Sequence, residues 1–156
     1  MNLGVVGSRS WREYIRPGAV GGAIALYQSE GFDTVVSGGA HGVDTRAENT
    51  GRVLGMAVIS YRVSERNDGW FVVEKWVYDP RARSWDLFPV YNPTARSGTS
   101  RPAVFRTFGS AAYWRNGLIV NDSDGVIAFW DGKSNGTRDS IEKAREAGNL
   151  LEVYRL

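Results

Sequence analysis

Hydrophobic and polar positions alternate along this chain with two different periods, and the switches between them outline its elements. "LGVVG" (3–7) is a short apolar run ending in glycine, which reads as a buried strand. In "GAVGGAIALYQSE" (18–30) the apolar side chains Val20, Ala23, Ile24 and Tyr27 recur at helical spacing, with Gly31 as a stop. "FDTVVS" (32–37) is a second strand. A helix over roughly 42–54 follows, ending at Gly55, and "MAVISY" (56–61) is a third strand. The same rhythm returns near the end. "SAAYWRNGLIVND" (110–122) reads as a helix and "GVIAFW" (125–130) as a buried strand. "GTRDSIEKAREAG" (136–148) reads as an amphipathic helix with Ile141, Ala144 and Ala147 inward, and "LLEVYRL" (150–156) as a last strand. Strands alternating with helices predict an α/β fold with a parallel sheet. Right-handed crossovers make it a doubly wound, Rossmann-like sheet ordered 3-2-1-4-5.

Residues 62–108 break this rhythm. "WFVVEKWVYDPRARSWDLFPVY" (70–91) alternates with period two on both sides of "DPRARS", a turn signal, which predicts a β-hairpin inserted between the third and fourth core strands. "NPTARSGTSRP" (92–102) reads as a flexible loop. The expected organisation is one domain over 1–156 carrying a 62–108 insertion. Trp70, Trp76 and Trp85, three of six tryptophans, fall in the hairpin. Cross-strand packing or a subunit contact is the preferred account, and a lid stacking on a base the sharper one.

Composition narrows the chemistry. With 42% hydrophobic and 23% charged residues the chain is expected to fold, and it has no cysteine, which excludes disulfides and thiol catalysis. Its one histidine, His41, excludes a multi-histidine metal centre, so neither metal nor cofactor is expected. The opening "MNLGVVGSRS" is too short and uncharged for a signal peptide and no run of about 18 apolar residues occurs, so a cytoplasmic location without membrane contact is expected. The net charge is only +2, and all 19 basic side chains except Lys75, Lys133 and Lys143 are arginine. Arginine captures phosphate or carboxylate bidentately, but this small excess alone does not indicate nucleic acid.

Four polar segments fall where strands end or helices begin on the carboxyl edge of such a sheet: "GSRSW" (7–11), "SGGAHG" (37–42), "YWRNG" (113–117) and "DGKSNGT" (131–137). Ligands of open α/β sheets bind at that edge. Helix N-termini there offer free N–H groups to phosphate. The expected ligand set is Gly7, Ser8, Arg9, Ser37, Gly38, Gly39, Ala40, His41, Asp44, Arg115, Asn116, Asp131, Ser134, Asn135, Gly136 and Thr137. The paired glycines Gly38 and Gly39 are read as letting the backbone approach an anionic ligand. Plainer readings stand beside these: His41 as an exposed loop residue, Asp44 as a helix cap, and Glu48 as a solvated or ion-paired side chain.

The segments "VGSRSW", "VVSGGAHGVDTRAE", "RNGLIV" and "GVIAFWDGKSNGTRDSIEKA" together resemble the YspA/YpsA-related branch of the SLOG superfamily, over most of residues 2–60 and 109–154. The resemblance implies a Rossmann-like domain that binds nucleotides or nucleotide-derived molecules, in a family whose members commonly form oligomers. Relatives include the Lonely-guy phosphoribohydrolases and the DNA-processing protein A family, which binds single-stranded DNA. In the hydrolase pattern a catalytic glutamate follows the glycine–threonine pair, here Gly136 and Thr137. Ser140 takes that place, with Asp139 one residue early, while Arg115 matches the family's arginine. A hydrolase developing positive charge on a sugar needs a carboxylate beside it. The expected function is therefore binding or sensing of a nucleotide-derived small molecule by a homo-oligomer. The alternatives are a nucleoside monophosphate phosphoribohydrolase using Arg115 with Asp139 or Glu48, and a single-stranded DNA-binding module.

Overall fold

The computed structural model describes residues 1–12, 15–91 and 102–155. Its eight-stranded sheet is mostly parallel, the Rossmann-like α/β arrangement the alternation predicts. Strand β1 (Asn2–Gly7) leads through α1 (Ala19–Ser29) to β2 (Thr34–Ser37), and α2 (Val43–Val53) to β3 (Ala57–Glu65). After the insertion come α3 (Phe108–Asn121), β7 (Gly125–Trp130), α4 (Asn135–Ala147) and β8 (Leu150–Arg155). Setting the insertion aside, the strands lie in the order β3-β2-β1-β7-β8, all parallel, which is the expected 3-2-1-4-5.

The apolar side chains of the core strands alternate between two covered faces. Leu3, Val5, Val35, Val58 and Ile127 point to the face covered by Val20 and Ile24 of α1 and by Val43 and Ala47 of α2. Val6, Val36, Val126 and Ala128 point to the opposite face, under Ile119 and Val120 of α3 and Ile141 and Ala144 of α4. Full burial of a Val, Leu or Ile side chain favours folding by roughly 1.5–3 kcal/mol. Two layers of such contacts hold the central strands rigidly.

The insertion extends this sheet. Strand β4 (Phe71–Asp79) pairs antiparallel with β3 from Val58↔Tyr78 to Glu65↔Phe71, and β5 (Ser84–Pro89) folds back on β4 as the predicted hairpin. The short β6 (Val104–Phe105) also pairs with β4. A lone hairpin is marginal in water, and continuing an existing sheet supplies the missing hydrogen bonds. That pairing also carries β3 beyond its expected end at Tyr61. Residues 92–101 of the expected flexible loop lie outside the described residues.

Two details differ from the sequence reading. "YWRNG" (113–117) is no edge loop but the middle of α3, since nothing in it outweighs the helical run on either side. Ala147, expected inward, is exposed. The buried stripe Thr137, Ser140, Ile141 and Ala144 ends one turn earlier, because the chain turns out of the helix at Gly148 (φ 75°) toward β8. No helix among the described residues is long and apolar enough to cross a membrane.

Candidate functional site

Successive connections run outward in opposite directions from β1 and β7, so the order reverses between these neighbours. At their carboxyl ends lies a cleft of about 420 Å³, walled by the start of α3, the start of α4 and the turn after β1. Its lining includes Gly7, Arg9, Ala40, Asp44, Arg115, Asn116, Ser134, Gly136 and Thr137 from the expected set. Phe108, Gly109, Ala112, Tyr113 and Ser140 also stand in its walls, with Val6, Ser10 and Ile119.

The turn after β1 is fixed by packing. A methyl group on Gly7 would fall 2.5 Å from the Val43 side chain, so only glycine lets the end of β1 touch the start of α2. Ser8 N donates to Phe129 O (3.0 Å), and Ser8 Oγ accepts from Asp131 N (3.2 Å) and lies 3.4 Å from Thr137 Oγ1. Ser8 thus ties β1, β7 and α4 together just beneath the cleft. Arg9 stands exposed above it, its guanidinium 5.6 Å from the centre of the Phe108 ring.

The glycine loop is filled from inside the protein. A methyl on Gly38 would sit 2.8 Å from both Arg115 Nη1 and Asp44 Oδ2. Gly39 adopts φ 66°, and a methyl there would meet Arg62 Cγ at 2.6 Å and Ser60 Oγ at 2.8 Å. The close approach that these glycines permit is to the protein's own arginines.

Arg115, on α3, is only 9% exposed. Its Nη1 donates to Gly38 O (2.7 Å) and Tyr61 O (3.3 Å), while its buried Nε has no hydrogen-bond partner among the described residues. Burial pulls the Arg115 guanidinium below its usual range; Asp44 opposes that shift and Arg9 adds to it. The guanidinium remains the charged form at neutral pH. Asp44 is not the helix cap, a position Gly42 occupies without any side-chain hydrogen bond. Its carboxylate turns back instead to accept from Ala40 N (3.2 Å). Burial pushes the Asp44 carboxyl up to about 6, against the pull of Arg115 and of the Ala40 and Gly38 N–H groups.

The loop into α4 is held by Asp131, which accepts from Lys133 N and Ser134 N (both 2.8 Å) and from Ser10 Oγ. Burial raises its carboxyl, but these hydrogen bonds outweigh that and hold it at about 2. Ser134 caps α4 by accepting from Thr137 N (3.5 Å). Gly136, in the first turn, has nothing among the described residues within 4 Å of where its methyl would be, and neither has Gly109 in the first turn of α3. Both open onto the cleft.

The remaining expected residues lie elsewhere. Ser8 and Asp131 stand behind the lining. Ser37 is fully buried and donates to Glu48 Oε1 (2.5 Å), which also accepts from Ser60 Oγ (2.6 Å), while Arg62 Nη2 stands 3.4 Å from Glu48 Oε2. Glu48 is thus a buried, ion-paired carboxylate below the glycine loop, not a solvated one. His41 is exposed and lines a separate groove between α1 and α2 with Gly42, Thr45 and Arg46. Asn135 is exposed at the start of α4, outside the lining. Asp139 accepts from Asn116 Nδ2 (3.1 Å) and Lys143 Nζ (2.5 Å) and does not line the cleft. Phe108 and Ala112, which share this wall with Tyr113 and the expected Asn116, went unread because the sequence reading began this helix at Ser110. Started at Phe108, the i, i+4, i+8 spacing places Phe108, Ala112 and Asn116 on one face.

No family model matches the sequence, and no curated protein matches it. Among solved structures, the chain is similar to DNA processing protein A from Helicobacter pylori, a single-stranded DNA-binding protein. The TM-score is 0.58 at 20% identity, covering 97% of this chain and 64% of that one. The likeness is one of fold, a Rossmann-like α/β fold, and this chain spans less than two thirds of that protein. A carbon–nitrogen hydrolase from Helicobacter pylori G27 aligns at a TM-score of 0.35 and 11% identity, covering 99% of this chain and 72% of that one.

Proposed function

We propose that the cleft binds the phosphate of a nucleotide or nucleotide-derived ligand, and that the protein senses or carries this ligand without cleaving it. The observation that carries the reading is the convergence of Arg9, Arg115 and the first turn of α4 on one hollow. Two guanidinium groups repel each other there, and a phosphate relieves that repulsion with bidentate, charge-assisted hydrogen bonds. The α4 N-terminus adds N–H groups and partial positive charge, and Gly136 leaves room for an oxygen to come close. A volume of about 420 Å³ suits a ligand the size of a mononucleotide.

Hydrolysis has less support. Asp139 and Glu48 are engaged outside the cleft, and the position facing it on α4 is Ser140. Asp44 is the carboxylate that lines it, so a hydrolytic reading would have to rest on Asp44. The single-stranded DNA reading draws on the fold shared with DNA processing protein A. Calorimetry with nucleoside monophosphates and the matching nucleosides tests the proposal. Phosphate-dependent binding that Arg115→Ala weakens by roughly 1.5–3 kcal/mol, without release of free base, is the expected result. Equal affinity for nucleoside and monophosphate would overturn it, and base release abolished by Asp44→Asn would make the protein an enzyme.

A further inference from the structure

Beyond the cleft, α4 has a second flank with its own hollow, of about 270 Å³, lined by Trp130, Arg138, Arg145 and Arg155 with Glu142 as its carboxylate. Trp130 is anchored by its Nε1 donating to Ser134 O (3.0 Å), the residue that caps α4 and also lines the cleft. The Arg155 and Arg138 guanidinium carbons lie 4.8 and 5.5 Å from the centre of the Trp130 ring. Arg16 Nη1 donates to Arg155 O (2.8 Å), bringing a further guanidinium to the end of β8. No carboxylate of the described residues is ion-paired with Arg138 or Arg145. Positive charge gathered around one aromatic ring, with a single acid among it, is self-repulsive and matches a polyanion carrying bases.

The two hollows lie on opposite flanks of the same helix. Gly136, Thr137 and Ser140 face the first, while Arg138, Ile141 and Arg145 face the second. A helix is about 10 Å across with its side chains, so one phosphate group cannot serve both. A chain of phosphates can, passing over the α4 N-terminus. We propose that this arginine-lined flank is a second anion site, which takes the backbone phosphates of a single-stranded nucleic acid whose end nucleotide occupies the cleft. The proposal rests on the cleft reading only for where the strand ends.

Anisotropy titration of a labelled oligothymidylate, beside calorimetry with thymidine monophosphate, tests it. The arginines at 138 and 145 are exposed, and glutamine at both keeps the helix. In R138Q/R145Q the oligonucleotide affinity is expected to fall roughly tenfold, and the slope of log K against log salt to become shallower by about 1.4, the share of two single-strand phosphates. Monophosphate binding stays at the wild-type value. Arg138→Lys with Arg145→Lys, which keeps the charge, restores the oligonucleotide. Unchanged affinity and slope in R138Q/R145Q would overturn the proposal, as would a lysine variant binding as poorly as the glutamine one. Failure of the cleft reading looks different: wild type then ignores the monophosphate, or Arg115→Ala leaves its binding unchanged, while the oligonucleotide still responds to residues 138 and 145.

Discussion

Asp44 and Arg115 share the space beside Gly38 because glycine leaves it open, and three predictions follow at this scale. The folded Asp44 carboxyl titrates near 6, raised from 3.8 by burial, so folding favours its protonated form. Its contribution to stability is therefore full below about 3.8, is lost as the pH rises toward 6, and stays lost above. Two units correspond to about 3 kcal/mol. Asp44→Asn is expected to gain about that much on the wild type between pH 4 and pH 7, as read from urea unfolding at the two values. Gly38→Ala forces a methyl against Arg115 and Asp44 and is expected to cost roughly 1–3 kcal/mol in the same measurement. Gly136→Ala is the contrasting case. Nothing crowds its methyl, and alanine is the better helix former, so stability holds or rises by up to about 1 kcal/mol. Under the proposed function, nucleotide binding is expected to fall, since Gly136 lines the cleft and the added methyl takes up room there. A Gly136→Ala protein binding monophosphate as tightly as wild type would remove the α4 N-terminus from the site. Gly39→Val is a poor probe by comparison, since φ 66° and the Arg62 contact make it destabilising whatever the ligand.

The inserted hairpin does more at the level of elements than widen the sheet. The Arg62 guanidinium carbon on β3 lies 5.5 Å from the centre of the Trp76 ring and 5.1 Å from that of Trp85, which in turn packs on Tyr78 at 5.4 Å. The same Arg62 donates from Nε to Ser60 Oγ (3.0 Å) and pairs with Glu48, whose other contacts hold Ser37 at the root of the glycine loop. The tryptophans of the insertion thus clamp an arginine that fixes the loop from below. This is packing, as the preferred reading of the hairpin has it for Trp76 and Trp85, while Trp70 stands 37% exposed before β4. Arg62 is 39% exposed, so solvent screens its ion pair and most of its worth lies in stacking. Arg62→Ala is expected to cost roughly 1–2 kcal/mol and to speed amide exchange at residues 37–42. Unaltered exchange in that segment would separate the insertion from the site.

At the scale of the whole molecule, β5 is an edge strand with no further strand beside it among the described residues. Leu87 and Phe88 on it are 53% and 47% exposed, and Tyr91 just beyond it is 50% exposed. Apolar side chains on a free strand edge favour association. We expect a homo-oligomer at micromolar concentration, with Leu87→Lys/Phe88→Lys shifting it toward monomer. Light scattering that returns 17.2 kDa for the wild type would refute this.

The alternation of strand and helix, the place of the insertion and the order of the core strands were legible in the sequence, because each depends on local periodicity and on the handedness of crossovers. "GSRSW" and "DGKSNGT" announced the two turns that meet at Ser8 and Thr137, since turn chemistry is also local. The partners of the buried charges were not legible. Asp44 and Arg115 are 71 positions apart and meet beside a glycine that the sequence reading assigned to a ligand. Glu48 meets Arg62 only because β3 runs past its expected end to pair with β4. Period and propensity act within a few residues along the chain, whereas burial of a charge is settled by whichever distant side chain arrives to neutralise it. The sequence determined the sheet and the edge on which polar loops gather. Only the tertiary structure decided which of those loops line the cleft and which stand behind it.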